Sequence, residues 1–249
     1  MRPVSVYAHR GGMARAPENT LAAFRTAYSD GAAAIECDMR RTADGQFVAF
    51  HDKDTARVCG RSWEVARTPW GHLKTLRVMG KEPIPHLDDI LNFMILRPGL
   101  DMYFELSLDR PSDAADLARQ IERAGMQSRS YLLVFSCQAG QLAAAGEVVP
   151  GIGRAVMPLF PSDLAGTARE AGASKVCAGW VDWPLTKQLF YFGASAFDFP
   201  RQVKEAEAEG IEISAGIANG PRDVRRLAEL GARAVWTDDV PMAAKYLGL

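Results

Sequence analysis

Long apolar runs are missing from this 249-residue chain: no uninterrupted stretch approaches the roughly 20 residues that a membrane-spanning helix needs. That predicts no integral membrane segment. An apolar run that begins by Val4 leaves no room for a charged and then apolar leader, so the sequence reads as soluble and cytoplasmic. Cysteine is scarce, and Cys37, Cys59, Cys137 and Cys177 lack paired or metal-type spacing, which excludes a disulfide framework and points to reduced, mostly buried thiols. Charge of one sign is also lacking. With 29 Lys and Arg against 30 Asp and Glu the net charge is −1, giving no footprint for nucleic acid or for an anionic bilayer. No repeat, low-complexity tract or linker breaks the chain. What is present is 48% hydrophobic residues, enough for a substantial core, in a length that suits one α/β barrel domain over residues 1–249 better than two small ones.

The stretch from Tyr7 to Asp52 organises the rest. A short apolar run over 4–8 stops at His9, Arg10, Gly11 and Gly12, the pattern of a buried strand breaking into a glycine-permitted turn. Pro17, Glu18, Asn19 and Thr20 then supply helix-start chemistry, with Asn19 or Thr20 as the cap. The second strand, 33–39, carries Glu36 and Asp38 two residues apart. Side chains alternate along a strand, so both carboxylates point one way while Ile35 and Cys37 point the other. Two acids on one buried face repel unless a cation or a proton neutralises them. After the Asp44-Gly45 turn a run over 46–50 ends in His51-Asp52, so two histidines and two acids converge from neighbouring strand ends.

Residues 53–85 hold six Gly and Pro residues with weak periodicity and read as an irregular excursion between the second strand and its helix, 87–96. The third strand, 101–108, places Tyr103, Glu105 and Ser107 on one face. An acid in the middle of an aromatic and aliphatic strand is costly to bury alone, so Glu105 belongs with Glu36 and Asp38. Helices and strands then alternate to the last residue, with one helical stretch between 184 and 209. Eight βα units predict a closed (β/α)8 TIM barrel with a short insertion after the second strand; an open doubly wound sheet is the runner-up. The barrel reading gains because His9, Glu36, Asp38, His51, Glu105, Trp180 and Asp238 all fall at carboxyl ends of strands, where such folds place chemistry.

HRGG, PENT, the E-C-D triplet, TADG and the closing HD, followed more thinly by Pro85-His86-Leu87-Asp88, Phe104-Glu105-Leu106, Phe135-Ser136 and Thr237-Asp238, resemble the signature of the glycerophosphodiester phosphodiesterase family. The resemblance implies hydrolysis of a small phosphodiester to glycerol 3-phosphate and an alcohol, with Glu36, Asp38 and Glu105 as metal ligands, His9 and His51 as the acid and base, and Arg10 on the phosphate. Three carboxylates without a nearby cysteine favour a hard divalent cation, Mg²⁺ or Ca²⁺. Asp52 reads as a partner of its neighbouring histidine, Glu18 and Asn19 as loop-ordering groups, Lys53 and Arg57 as solvated side chains, and His72 and His86 as surface or cap residues.

Two departures concern the substrate. Where the family carries a lysine two residues after the third acid, Ser107 stands; a substitute cation such as Lys53 or Arg154 is expected, or weaker phosphate binding. The strand-seven tryptophan is replaced by Ile213-Ser214-Ala215-Gly216, leaving Trp180 and Trp183 as an aromatic wall or as packing. Other readings stay open beside the diesterase: a barrel that binds a phosphorylated ligand without turnover, and, should the excursion offer an apolar groove, a lysophospholipase D-like activity.

Overall fold

Period-two alternation along the strands divides the molecule into an inner and an outer core. A computed structural model describes residues 3–181 and 183–249. In chain order come β1 (Ser5–Ala8), α1 (Leu21–Ser29), β2 (Ala34–Arg41), β3 (Phe47–Ala49), α2 (Ala56–Cys59), α3 (Trp70–Leu73), β4 (Arg77–Val78), β5 (Glu82–Pro83) and α4 (Leu87–Ile95). Then follow β6 (Asp101–Leu106), α5 (Pro111–Arg123), β7 (Ser130–Phe135), α6 (Gly140–Val148), β8 (Gly153–Met157), α7 (Leu164–Ala171) and β9 (Lys175–Gly179). The chain closes with α8 (Thr186–Ala196), α9 (Phe199–Ala208), β10 (Glu212–Gly216), α10 (Pro221–Glu229), β11 (Ala234–Thr237) and α11 (Val240–Leu247).

β1, β2 and β6 to β11 pair in parallel, and β1 bonds to both β2 and β11, so the sheet is a closed eight-stranded barrel and the open-sheet alternative is overturned. Outward residues such as Ile35, Cys37, Met39, Met102 and Phe104 pack beneath the helices. Inward residues Tyr7, Ala34, Tyr103, Leu133, Ala155, Cys177, Ala234 and Trp236 fill the barrel. On α5, Ala114, Leu117, Ala118 and Ile121 recur at helical spacing and are fully buried, while Pro111 opens the helix where a missing N–H does no harm. Truncating Leu117 to Ala there costs about 2–5 kcal/mol.

One open choice is settled, and two expectations need correction. Thr20, not Asn19, caps α1, its side chain accepting from Ala23 N–H; Asn19 lies at φ 55°, which frees its amide for other work. The stretch 184–209 is two helices, broken at Asp198, whose φ of 49° turns the chain and whose carboxylate caps α9. The excursion is not irregular: α2, α3 and the β4–β5 hairpin enclose Val58, Val65, Leu73, Leu76, Val78 and Ile84 with Val48 and Phe50, so these apolar side chains face a small core of their own and not a lipid groove. His86 caps α4, and His72 is exposed. All four cysteines are free: Cys37 and Cys177 are buried, Cys59 is half-buried and Cys137 exposed.

Candidate active site

Strand register assembles the acid cluster. β2 and β6 pair so that Asp38 lies opposite Glu105 and Glu36 opposite Tyr103, all on the inward face. One carboxylate oxygen from each of Glu36, Asp38 and Glu105 lies within 4.8 Å of the other two. The aromatic layer of Tyr7, Tyr103 and Trp236 lies on the same inward face, and two of the acids are nearly dry, Glu36 2% and Asp38 1% exposed, while Glu105 is half-buried. Burial, then the charges of Asp38 and Glu105, push the Glu36 carboxyl well above its ordinary range. Burial, then Asp38, push Glu105 up to about 8. Asp38 is steadied by Asn19, which donates to its Oδ2 at 2.7 Å and accepts from its backbone N–H at 3.0 Å. Left-handed backbone at Asn19 is what lets one amide reach both groups.

The HRGG turn sits directly on the acids. Gly11 is required there: a Cβ would stand 2.7 Å from Phe24 and 2.8 Å from Ala23, and its φ is +82°. Arg10 adopts φ 49°, an uncommon conformation for a side-chain-bearing residue and costing about 1–3 kcal/mol, and this aims its backbone N–H at Glu36 Oε2, 2.7 Å away. Its side chain donates to Glu18 at 3.2 Å, and its Nε approaches Asp38 Oδ2 at 3.4 Å. Burial opposes the Arg10 charge, but Asp38, Glu36, Glu18 and Glu105 outweigh it and hold the guanidinium above its usual range. Among the buried polar atoms of the described residues that lack a hydrogen-bond partner are the Nε–H of Arg10, the Oε1 of Glu36 and, in the aromatic layer below, the hydroxyl of Tyr103. A waiting donor and a waiting acceptor in one dry site suit an anion beside a cation.

Both histidines are backed by carboxylates. His9 Nδ1 lies 2.8 Å from Asp238 Oδ1, and His51 Nδ1 lies 2.6 Å from Asp52 Oδ1. Each carboxylate makes Nδ1 the donor and leaves Nε2 for a substrate. Burial opposes ionisation of Asp238, yet its bonds to His9 and Asn219 prevail and hold it below the ordinary carboxylate range. The turns are tied to the acid strand through Arg10 N–H on Glu36 and through Phe50 N–H on the Asp38 carbonyl at 2.9 Å.

Four residues acquire roles that sequence reasoning missed. Asp238 backs His9 from 229 positions away. Arg57 is not merely solvated: it bridges Glu18 and Asp52. Asn219 donates to Asp238. Arg40 shares the inward face with Glu36 and Asp38, a position that the same alternation would have revealed, and its Nε donates to the His51 carbonyl at 2.8 Å. Burial draws the Arg40 guanidinium below its usual range against the fields of Asp38, Asp52, Asp109 and Glu105. Arg40 therefore sets positive charge in the field of Asp38 and Glu105, whereas Arg154 lies near the amino end of β8 against Gly146 of α6 and Gly172; Lys53 is solvent-exposed. Trp180 packs on Phe190 and Tyr191 at 5.3 and 5.5 Å and, with Trp183, Lys187, Asn219 and Asp223, lines a cavity of about 420 Å³. The strand-seven tryptophan has no room here, since a Cβ on Gly216 would stand 2.5 Å from that of Trp236.

Hydrolysis of a phosphate ester is the chemistry that such a rim is equipped for: oxygen donors for a hard cation, a guanidinium for the anion, and two imidazoles to move protons. The chain belongs to the glycerophosphoryl diester phosphodiesterase family, whose model matches residues 9–147. Glycerophosphodiester phosphodiesterase 1 of Bos taurus is 29% identical over 243 residues, covering 87% of this chain and 72% of the bovine protein. Two solved structures share the fold. A phosphodiesterase from Oleispira antarctica, in complex with the product sn-glycerol-3-phosphate, superimposes with a TM-score of 0.81 at 22% identity, covering 99% of this chain and 98% of its own. A glycerophosphodiester phosphodiesterase from Parabacteroides distasonis gives 0.80 at 19% identity, with 100% and 98% covered. Family membership makes this chain a phosphoric diester hydrolase of glycerophosphodiesters. Among the described residues no helix is long and apolar enough to cross a membrane.

Proposed function

We propose that the chain releases glycerol 3-phosphate and an alcohol from glycerophosphodiesters by proton exchange between His9 and His51, with Glu36, Asp38 and Glu105 holding Mg²⁺ or Ca²⁺ and Arg10 holding the phosphate. In this reading residues 1–249 act as a single barrel domain and the insertion at 53–85 forms part of the wall around the site. One observation supports it: the three-carboxylate cluster keeps an unsatisfied buried acceptor on Glu36 and, on the turn hydrogen-bonded to it, an unsatisfied buried donor on Arg10, and the imidazoles of His9 and His51 are each backed by a carboxylate.

The all-oxygen donor set fits a hard cation, which when bound polarises a phosphoryl oxygen and offsets its charge. The residues do the rest. One imidazole, its Nδ1 held by a carboxylate, takes through Nε2 the proton of the glycerol hydroxyl next to the phosphodiester. The other gives the leaving alcohol its proton. The cyclic phosphate so formed opens with water as the imidazoles exchange roles. Trp180 and Ser107 lie on the substrate side of this scheme, the indole as a wall toward the alcohol and the hydroxyl as a neutral group near Glu105.

The test is release of glycerol 3-phosphate from a panel of diesters, with and without chelator. Turnover that stops with chelator, returns with Mg²⁺ or Ca²⁺, and is lost in His9→Ala and His51→Ala supports the proposal. Binding of diesters with no turnover under any divalent metal overturns it in favour of a ligand-binding barrel.

A further inference from the structure

The insertion reaches Glu18 and Asp52 through the side chain of Arg57. Arg57, on α2, spends both edges of its guanidinium on carboxylates. Nη1 donates to Glu18 Oε2 at 2.9 Å and Nη2 to Glu18 Oε1 at 2.7 Å, while Nε donates to Asp52 Oδ2 at 2.6 Å and Nη2 also reaches Asp52 Oδ1 at 3.1 Å. Each carboxylate is shared with a residue of the proposed machinery. Glu18 Oε1 also accepts from Arg10 Nη1, and Asp52 Oδ1 holds His51 Nδ1. The result is one continuous chain, Arg10–Glu18–Arg57–Asp52–His51, in which two guanidinium cations balance two carboxylates.

The burial of Glu18 gives this chain its consequence. At 6% exposure its carboxylate cannot turn to water and must be met by cations. Burial opposes its charge, and Arg57 ahead of Arg10 overcomes that opposition. Asp52 is likewise held ionised against burial by Arg57 and then His51. Without Arg57, Glu18 would draw on Arg10 alone, pulling the guanidinium away from the acid cluster, and Asp52 would lose the partner that fixes its orientation toward His51.

We propose that Arg57 is a positioning residue for the hydrolysis, a clamp through which Glu18 sets the guanidinium of Arg10 and Asp52 sets the imidazole of His51 at a fixed mutual geometry. This rests on the roles proposed above for Arg10 and His51. Lysine cannot replace it, because an ammonium has no planar fork with which to grip two carboxylates at once. The insertion thereby becomes part of the catalytic frame, since its small core is what holds α2 and Arg57 over the two turns.

The experiment compares wild type, Arg57→Gln, Arg57→Lys and Glu18→Gln for kcat, KM and melting temperature on a diester that the wild type turns over, with and without added guanidinium ion. Arg67→Gln serves as the control, since Arg67 is exposed and, among the described residues, pairs within its own turn with Glu64. Arg57→Gln should lose about 100-fold in kcat/KM, the scale of a misplacement near 1 Å, with kcat and KM both affected and the melting temperature little changed. Free guanidinium should restore part of the loss, Arg57→Lys should recover little, and Glu18→Gln should act mainly on KM. Unchanged kcat and KM in Arg57→Gln overturn the inference, as does a loss that follows the folded fraction and ignores guanidinium. A wild type that turns over no diester with any divalent metal overturns the reading of the site itself.

Discussion

The two imidazoles of the site look alike and are built in opposite ways. His51 takes its carboxylate from the next residue in the chain, and the Asp52 that holds it is gripped in turn by the insertion through Arg57. His9 takes its carboxylate from Asp238, beyond the last barrel strand, where β11 pairs with β1 in the register Ala8 to Thr237. One pair depends on local chain geometry and an added segment, the other on closure of the whole barrel. The same chemical unit can therefore be secured by sequence neighbourhood or by topology, and the two should fail under different insults.

The largest expected effect treats the pairs as equals. His9→Ala and His51→Ala should each lower kcat by about 10²- to 10⁴-fold, and the double variant should fall little below the worse single one, because groups acting in one proton exchange are not additive. Rates measured with saturating diester decide this. Independent, multiplying losses would break the pairing.

Asp52→Asn and Asp238→Asn separate the two designs. Each should cost about 10- to 100-fold in kcat, by analogy with other groups that orient a working imidazole. Asp52→Asn should also raise KM, since it frees Arg57 and disturbs Glu18 and Arg10, whereas Asp238→Asn should leave KM near the wild-type value. Equal KM effects would erase the contrast.

Acid–base linkage should show in stability. The Glu105 carboxyl has its folded pKa raised from 4.5 to about 8, first by burial and then by Asp38. The folded protein thus binds more protons than the unfolded chain between those values, so this contribution is present at low pH and is lost as pH rises through about 8. In chelator the melting temperature should decline from pH 5 toward pH 8, and excess Mg²⁺ or Ca²⁺ should flatten the decline. A rise with pH in chelator would contradict the buried cluster. The smallest expected effect is that of Ser107→Lys. With Arg40 already setting positive charge toward Asp38 and Glu105, a second cation there should change KM by no more than about 3-fold, within the ~0.2–1 kcal/mol of a weak ion pair.

The parts that were legible in the sequence are those with short-range causes. Strand alternation alone put Glu36 and Asp38 on one inward face, and the apolar runs bounded by Gly and Pro placed all eight barrel strands. Helix starts were legible where a side chain caps, although Asn19 and Thr20 were indistinguishable until the backbone showed which one lies at positive φ. The insertion read as irregular because α2, α3 and the β4–β5 hairpin are each too short to display a period; their order comes from a shared core. Asp238, Asn219 and Arg57 act through partners 229, 19 and 39 positions away, and no local pattern announces such meetings.

Pairing of β1 with β11 has one more consequence. Because the contact between His9 and Asp238 spans the seam where β1 meets β11, a slip of that seam by a single residue would turn Asp238 to the opposite face and strip His9 of its carboxylate. The contact of His51 with Asp52 crosses no seam and would survive the same slip.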